Sequence, residues 1–104
     1  MKKIGTAAVA AATLLFASAA MADQLEDMMK KNGCNACHSE DKKIVGPSYK
    51  QVAEKYRGDK GAEAKLVEKV KKGGSGVWGQ IPMPPNNVSD ADAQALVSWI
   101  LSQK

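Results

Sequence analysis

Side chains that bind metals are scarce in this chain. Its 104 residues include two cysteines and one histidine. A closed zinc site needs four ligands of this kind, which is more than the chain supplies. A thioredoxin-like pair of cysteines needs a surrounding βαβ unit, and no stretch here alternates at the period of a strand. These two uses of the cysteines are therefore not favoured.

Aromatic residues and excess charge are also scarce. There are five aromatic residues, and the only phenylalanine, Phe16, lies in the N-terminal segment 1–22. Two of the 15 basic residues also lie in that segment, so residues 23–104 carry 13 basic and 11 acidic residues, a net charge of +2. No basic stretch is interleaved with aromatics, so we expect no nucleic-acid partner. The lysines are expected to form a solvated face that biases docking.

The two cysteines and the histidine stand together as Cys34-Asn35-Ala36-Cys37-His38. C-x-x-C-H is the pattern through which a c-type haem is attached. Each thiol forms a thioether with one haem vinyl group, and the neighbouring histidine is held under the iron. The alternative uses of these five residues are a redox-active pair of cysteines or half of a zinc site. The motif predicts one covalently bound haem c, with His38 as an iron ligand.

The first 22 residues have the form of a secretory signal peptide. Two lysines precede an apolar segment at 4–19, and Ala-Met-Ala at 20–22 fits the small-x-small cleavage pattern. We expect cleavage after Ala22, one domain at 23–104, and a periplasmic location, where bacteria attach c-type haem. A retained membrane anchor is the alternative, but the apolar segment is rich in alanine and ends in a cleavage site.

Helical periodicity runs through the predicted domain. Apolar residues recur at helical spacing over 24–32, from Tyr49 to Tyr56, over 62–72, and after Ser89, where Ser-x-x-Asp predicts a helix start. We therefore predict an all-α domain of about four short helices. The last helix should pack against the first.

Two methionines of the first helix, Met28 and Met29, are assigned to the core. They repeat at helical spacing with Leu25 and precede the haem motif too closely to reach the iron. A core built from such short helices is small, and domains of this size usually need a staple such as a metal. A buried haem supplies a large apolar body, so we predict that the apo-protein is poorly folded.

The glycine-rich segment 73–88 contains three of the four prolines, and ordered loops of this length are usually functional. It places Met83 between Pro82 and Pro84. A thioether is a weak ligand, and flanking prolines restrict the backbone that carries it. We predict Met83 as the sixth iron ligand. The other possibilities are Met28, Met29, a lysine or no ligand, and a rigid turn with an incidental methionine.

Together these residues resemble the short single-haem class I bacterial cytochromes c, which are small soluble electron carriers of respiratory and denitrifying chains. The resemblance covers residues 23–104. It rests on the haem motif, Val45-Gly46-Pro47, and the segments 76–79, 81–86 and 88–92. It implies the cytochrome c fold, in which about four short helices surround one covalently bound haem.

The resemblance also implies roles for single residues. The Pro47 carbonyl would accept the Nδ1–H of His38, and Trp78 would donate its indole N–H to a haem propionate. Asn86 would donate to the sulfur of Met83. A plain core tryptophan and an ordinary turn asparagine are the alternatives for the last two.

One position departs from the resemblance. Where relatives often carry an arginine near a propionate, this chain has Lys69. Lysine offers a point charge instead of a planar fork, so we expect any pairing with a propionate to be weaker and more easily screened by salt.

His/Met ligation raises the reduction potential and favours electron transfer. We therefore expect a periplasmic one-electron carrier and not an enzyme. Its donor would be a quinol-oxidising complex, and its acceptor a terminal oxidase, nitrite reductase or peroxidase. It would dock transiently as a monomer and would not insert into the membrane after processing. The alternative is a haem enzyme or ligand sensor with an open sixth site, peroxidase-like or gas-binding, which requires that Met83 does not bind.

Overall fold

The computed structural model describes residues 23–104, and the predicted signal peptide lies outside the described residues. The described chain forms α-helices joined by irregular segments, with isolated bridges and no β-strand. The helices are 23–31 (α1), Tyr49–Lys55 (α2), Ala62–Lys72 (α3) and Asp90–Leu101 (α4), and a 3₁₀-helix covers Cys34–Ala36. The predicted all-α fold is confirmed. No helix within 23–104 is long and apolar enough to cross a bilayer.

The helix bounds agree closely with the predicted ones. α3 has the predicted bounds, whereas α1 lies one residue earlier than predicted and α2 ends at Lys55, one residue before Tyr56. α1 stops where Gly33 adopts a left-handed conformation with φ 71°. A glycine tolerates this conformation because it has no Cβ, and the amide N–H of Asn32 is satisfied by the Met28 carbonyl.

Serine side chains cap the starts of α2 and α4. Ser89 accepts a hydrogen bond from the backbone N–H of Asp92, as its sequence pattern predicts. Ser48 and Gln51 form a reciprocal capping box, in which each side chain binds the backbone N–H of the other. Ser48 is fully buried, so the start of α2 is fixed inside the protein.

The apolar core joins the two ends of the domain. Leu25 and Met29 of α1 pack with Tyr49 and Leu96, and Trp99 covers the same cluster. The predicted packing of the first helix against the last is therefore confirmed. Met29 is buried and Met28 is half-buried against this cluster, in agreement with their assignment to the core.

The third helix contributes less to this core than its sequence predicts. α4 packs against both α2 and α3. In α3, however, only Ala62 is buried, and Leu66, Val67 and Val70 are half-buried. Leu66 and Val70 line a cavity beside the helix, so the protein itself covers only part of their surface. The apolar face of α3 is thus shared between α4 and that cavity.

Candidate functional site

A cavity of about 600 Å³ lies between the haem motif, the helices and the segment 73–88. This volume falls within the roughly 300–1,000 Å³ of small-molecule and cofactor pockets. Its wall includes Cys34, Cys37, His38 and Met83, and most of the remaining wall is apolar. The sequence-predicted attachment residues and iron ligands therefore border one cavity.

The haem motif is a single tight turn. Gly33 leads into the 3₁₀-helix Cys34–Ala36, and the backbone N–H groups of Cys37 and His38 both donate to the Cys34 carbonyl, at 3.2 and 3.0 Å. Both thiols are half-buried and free instead of being joined in a disulfide. Burial raises the pKa of the Cys34 thiol. The turn thus brings two sulfurs and an imidazole to the same cavity wall.

The imidazole of His38 is oriented by the backbone that follows the motif. Its Nδ1 lies 2.6 Å from the carbonyl oxygen of Pro47, which is the contact that the resemblance implies. A carbonyl only accepts, so Nδ1 carries a proton, and in the neutral imidazole Nε2 then keeps its lone pair. Such a hydrogen bond fixes the tautomer and ring direction of a metal-binding histidine and raises its basicity. His38 has the tautomer that an iron ligand needs.

Gly46 allows the chain to pass close to this ring. The Gly46 N–H donates to the Cys37 carbonyl at 2.8 Å. A Cβ at position 46 would lie 2.7 Å from Cε1 of His38 and 3.1 Å from its Nδ1. Real carbon atoms do not approach so closely, so a side chain at this position would displace the imidazole.

Tyr49 forms a second support for His38 that the sequence did not reveal. The two rings stack, with centroids 5.7 Å apart and an interplanar angle of 28°. The Tyr49 hydroxyl donates to the Asn35 side chain at 3.1 Å. Burial, with a smaller contribution from the nearby Cys34 thiol group, raises the pKa of Tyr49 to about 12, so the hydroxyl stays protonated at neutral pH. The helical spacing had marked Tyr49 only as a core residue.

Met83 is paired with Gly74, which lies just beyond the end of α3. The N–H and carbonyl of Met83 exchange hydrogen bonds with Gly74 at 2.8 and 3.0 Å, forming an isolated antiparallel bridge. Gly73, with φ 72°, runs directly against the Met83 carbonyl and Pro85, which leaves no room for a Cβ. The Met83 side chain is half-buried and borders the cavity.

Asn86 ties the same segment to α3. Its backbone N–H and its side-chain amide both donate to the Val70 carbonyl, at 3.2 and 3.0 Å. The amide also donates to the Pro84 carbonyl at 3.3 Å. The side-chain amide of Asn86 thus donates to two carbonyls. A hydrogen bond from this amide to the Met83 sulfur would replace one of these two hydrogen bonds, and it stays a prediction.

Two lysines lie close to residues of the cavity wall, Lys55 to Trp78 and Lys69 to Gly74. The Lys55 ammonium lies 5.3 Å from the centre of the Trp78 ring, within the range of a cation–π interaction. Lys69 borders the cavity, and its ammonium lies so close to Gly74 that a Cβ there would be 2.7 Å from Nζ. Trp78 also borders the cavity and is 39% exposed. The Lys55 contact was missed because nothing in the sequence spacing links α2 to residue 78.

The residues around the cavity fit a c-type haem. Two thiols stand at the spacing of haem attachment, and an imidazole with free Nε2 and a thioether border the same space. Soft sulfur and imidazole are suitable iron ligands, and the largely apolar wall suits a porphyrin face. Donor set, cavity and helical fold together define a c-type haem protein.

Comparison with known proteins gives the family. The cytochrome c family model matches residues 24–104, and the chain belongs to this family. Over their whole lengths, the chain is 51% identical to cytochrome c-551 of Pseudomonas aeruginosa and 53% identical to cytochrome c-552 of Nitrosomonas europaea. The relatives named c-551 and c-552 are small class I cytochromes with a single haem.

Solved structures agree with this assignment. The crystal structure of wild-type Nitrosomonas europaea cytochrome c552 matches with a TM-score of 0.72 and 57% sequence identity, over 76% of this chain and 99% of that one. The family decides between haem attachment and the alternative uses of Cys34 and Cys37. The cofactor is one haem c, covalently bound through these cysteines.

Proposed function

We propose that the chain is a periplasmic one-electron carrier whose haem iron is bound by His38 and Met83, and that it is not an enzyme. The family assignment carries the proposal, since cytochromes c are electron-transfer proteins. The bound haem supplies one iron that changes by one electron between its ferrous and ferric forms. The protein's own residues hold that iron and shape its surroundings.

The arrangement around His38 supports its role as one ligand. The Pro47 carbonyl holds the Nδ1 proton and leaves Nε2 free to bind. Support for Met83 comes from its position at the same cavity and from its restrained backbone, which is flanked by prolines and paired with Gly74. A preformed loop compensates for the weak affinity of a thioether. With two protein ligands, little has to move when the iron changes oxidation state, which favours electron transfer.

We further propose that residues 1–22 are a signal peptide cleaved after Ala22, so that residues 23–104 act in the periplasm. Support comes from the basic start, the apolar segment and the Ala-Met-Ala site of the sequence. The family model begins at residue 24, close to the proposed mature start. Mass spectrometry of the exported protein tests this, because the proposal predicts Asp23 as the first residue.

A surface for redox partners is proposed at the mouth of the cavity. Large apolar side chains are exposed there, at Ile44, Val45, Val77, Trp78 and Ile81. We call these five residues the mouth patch. Lys43 and Lys69 also border the cavity, so the patch lies beside positive charge. Small apolar surfaces near charge suit transient redox complexes, in which electrostatics mainly sets the association rate.

The proposed partners are other redox proteins. A quinol-oxidising complex would donate the electron, and a terminal oxidase, nitrite reductase or peroxidase would accept it. The mouth patch is expected to meet a partner surface with an acidic rim. The rate of association should therefore fall as salt concentration rises, while the electron-transfer step inside the complex changes little.

The substitution Met83→Ala tests the ligand assignment. The haem should stay attached, because Cys34 and Cys37 are untouched, but the iron should lose its thioether. The reduction potential should fall by on the order of tenths of a volt, within the range of about 0.8 V that axial ligands span. The ferric protein should also gain the ability to bind cyanide. Potentiometric titration and absorption spectra measure both effects.

Met28→Ala is the matched control. Met28 is a half-buried methionine of α1 that packs on the core and does not border the cavity. Its replacement should cost stability while leaving the potential and cyanide binding close to those of the parent. A parent-like potential in Met83→Ala would contradict the ligand assignment and favour a haem enzyme or sensor with an open site.

A further inference from the structure

We propose that Tyr49 is a positioning residue for His38, fixing the imidazole plane with its ring and the haem-motif turn with its hydroxyl and backbone. The inference rests on the proposed role of His38 as an iron ligand and extends it to a residue outside the motif. Tyr49 is the first residue of α2 and is only 4% exposed.

The ring of Tyr49 lies between His38 and the core. It stacks on the imidazole at 5.7 Å and meets the Trp99 ring edge-on at 5.4 Å and 76°. Trp99 belongs to α4 and packs on the core cluster that contains Tyr49. Rotation of the imidazole about its Cβ–Cγ bond would therefore break its stack with a buried ring. The hydrogen bond to Pro47 fixes one edge of the imidazole, and the stack with Tyr49 fixes its plane.

Tyr49 also holds the chain on both sides of His38. Its hydroxyl donates to Asn35, which stands between the two cysteines, at 3.1 Å. Its backbone N–H donates to the carbonyl of Ser39, the residue after His38, at 2.9 Å. One buried residue thus contacts the chain before, at and after the proposed ligand.

The start of α2 is rigid enough to transmit this restraint. Ser48, immediately before Tyr49, is fully buried and closes a reciprocal capping box with Gln51. A residue on a capped helix start with a buried ring has little freedom. The position of the imidazole is therefore set by α2 and α4 as well as by the motif itself.

Two substitutions of Tyr49 in the haem-loaded protein separate the two contacts. Tyr49→Phe removes only the hydroxyl, and Tyr49→Leu also removes the stacked ring. Leu25→Ala is the control, because Leu25 belongs to the same core cluster but does not border the cavity. The readouts are the exchange rate of the His38 Nδ1 proton and the pattern of haem methyl shifts in the ferric protein. The methyl pattern depends on the planes of the iron ligands and not on global stability.

For Tyr49→Leu we expect a changed methyl pattern and Nδ1 exchange about two- to tenfold faster than in Leu25→Ala, since an aromatic pair supplies an interaction of that size. For Tyr49→Phe we expect the parent methyl pattern, with the Cys37 and His38 amides exchanging about two- to tenfold faster, as loss of one hydrogen bond predicts. Identical methyl patterns in Tyr49→Leu and Leu25→Ala would overturn the inference.

Tyr49→Phe decides the matter if Tyr49→Leu yields no folded protein, and parent-like amide exchange in Tyr49→Phe then overturns the inference. Failure of the proposed function is distinguishable from this outcome. It would appear in the parent protein, as missing His38 or Met83 ligation, before any substitution of Tyr49 is made.

Discussion

His38 is enclosed by contacts of different kinds. The Pro47 carbonyl accepts its Nδ1 proton, Tyr49 stacks on its ring, and the bare Cα of Gly46 lies against its edge. Each contact leaves Nε2 free, so all three are compatible with iron binding by that nitrogen. The chemistry proposed for this single imidazole therefore depends on residues that never touch the iron.

Gly46→Ala tests the steric part of this arrangement. Gly46 does not have positive φ, so the backbone accepts alanine, but the new Cβ would collide with His38. We expect a displaced imidazole, a weaker hydrogen bond to Pro47 and therefore a less basic ligand. The reduction potential should rise, as measured by potentiometric titration, and the yield of haem-loaded protein should fall.

Gly61→Ala is the matched control for that substitution. Gly61 also has negative φ, and a Cβ there would meet only ordinary contacts, the nearest at 3.6 Å from an Asp59 oxygen. The reduction potential of Gly61→Ala should equal that of the parent protein. If Gly46→Ala also kept the reduction potential of the parent, the close approach of Gly46 to His38 would not influence that potential.

At the scale of elements, the segment 73–88 is an ordered loop with two attachments to α3 and one internal bridge. Gly73 caps the helix through a 2.8 Å hydrogen bond to Lys69, and Asn86 binds Val70, while Gly74 pairs with Met83 inside the loop. The position of Met83 is therefore set by the end of α3 as much as by its neighbouring prolines. Greater mobility of this loop should therefore weaken the proposed binding of Met83 to the iron.

Gly73→Ala should loosen this loop. Alanine at φ 72°, ψ −161° is strained, and its Cβ would collide with the Met83 backbone. We expect a loss of more than about 2 kcal/mol, because strain in this region alone costs about 1–3 kcal/mol. Thermal unfolding measures the loss, and easier displacement of Met83 by cyanide measures its effect on the proposed ligand.

Gly76→Ala supplies the comparison within the same loop. Gly76 also has positive φ, at 104°, but a Cβ there would meet nothing within 4 Å. It should show the backbone strain without the collision, so the difference between the two variants reports the contact with Met83. Equal losses and equal cyanide affinities would show that the contact is unimportant.

Local sequence signals were sufficient for most of the elements. The bounds of α3 and the Ser89 cap followed from apolar spacing and capping chemistry, which act within a few residues. The capping box at Ser48 and Gln51 has a visible Ser-x-x-Gln pattern that was overlooked. The haem motif could be predicted because a covalent attachment leaves a strong local pattern, and Met83 stays a prediction that rests on its neighbouring prolines.

Contacts between distant segments were not predictable in this way. The stack of Tyr49 on His38 and the position of Lys55 over Trp78 join residues whose separation carries no periodic signal. The half-burial of Leu66 and Val70 was missed for a related reason. Helical spacing identifies an apolar face, but it does not say whether that face meets another helix or a cavity.

At the scale of the whole molecule, the protein core is small beside the cavity it encloses. The buried apolar side chains of residues 23–104 number nine, and three of them are alanines. Apolar residues from α2, α3, α4 and the segment 73–88 line the cavity. A domain of this size rarely has enough apolar core to fold without an additional stabilising group such as a metal or disulfides. Haem c is therefore expected to contribute a large part of the stability.

Replacement of both Cys34 and Cys37 by alanine tests this dependence. Without attachment, the chain should lose most of its fixed tertiary structure and much of its helix at room temperature, because the cavity walls lack a partner. Far-ultraviolet circular dichroism and proteolysis of the exported protein measure the loss. A cooperative thermal transition within a few degrees of the haem-loaded parent would show that the protein core suffices alone.

The absorption spectrum of the purified ferric protein is the decisive test of ligation by His38 and Met83. Iron bound by a histidine and a methionine gives a weak far-red band that arises from the methionine sulfur. We expect this band in the parent protein, its loss in Met83→Ala, and its persistence in Met28→Ala. A parent protein without the band, with high-spin features and ready cyanide binding, would contradict His38/Met83 ligation and the electron-carrier function built on it.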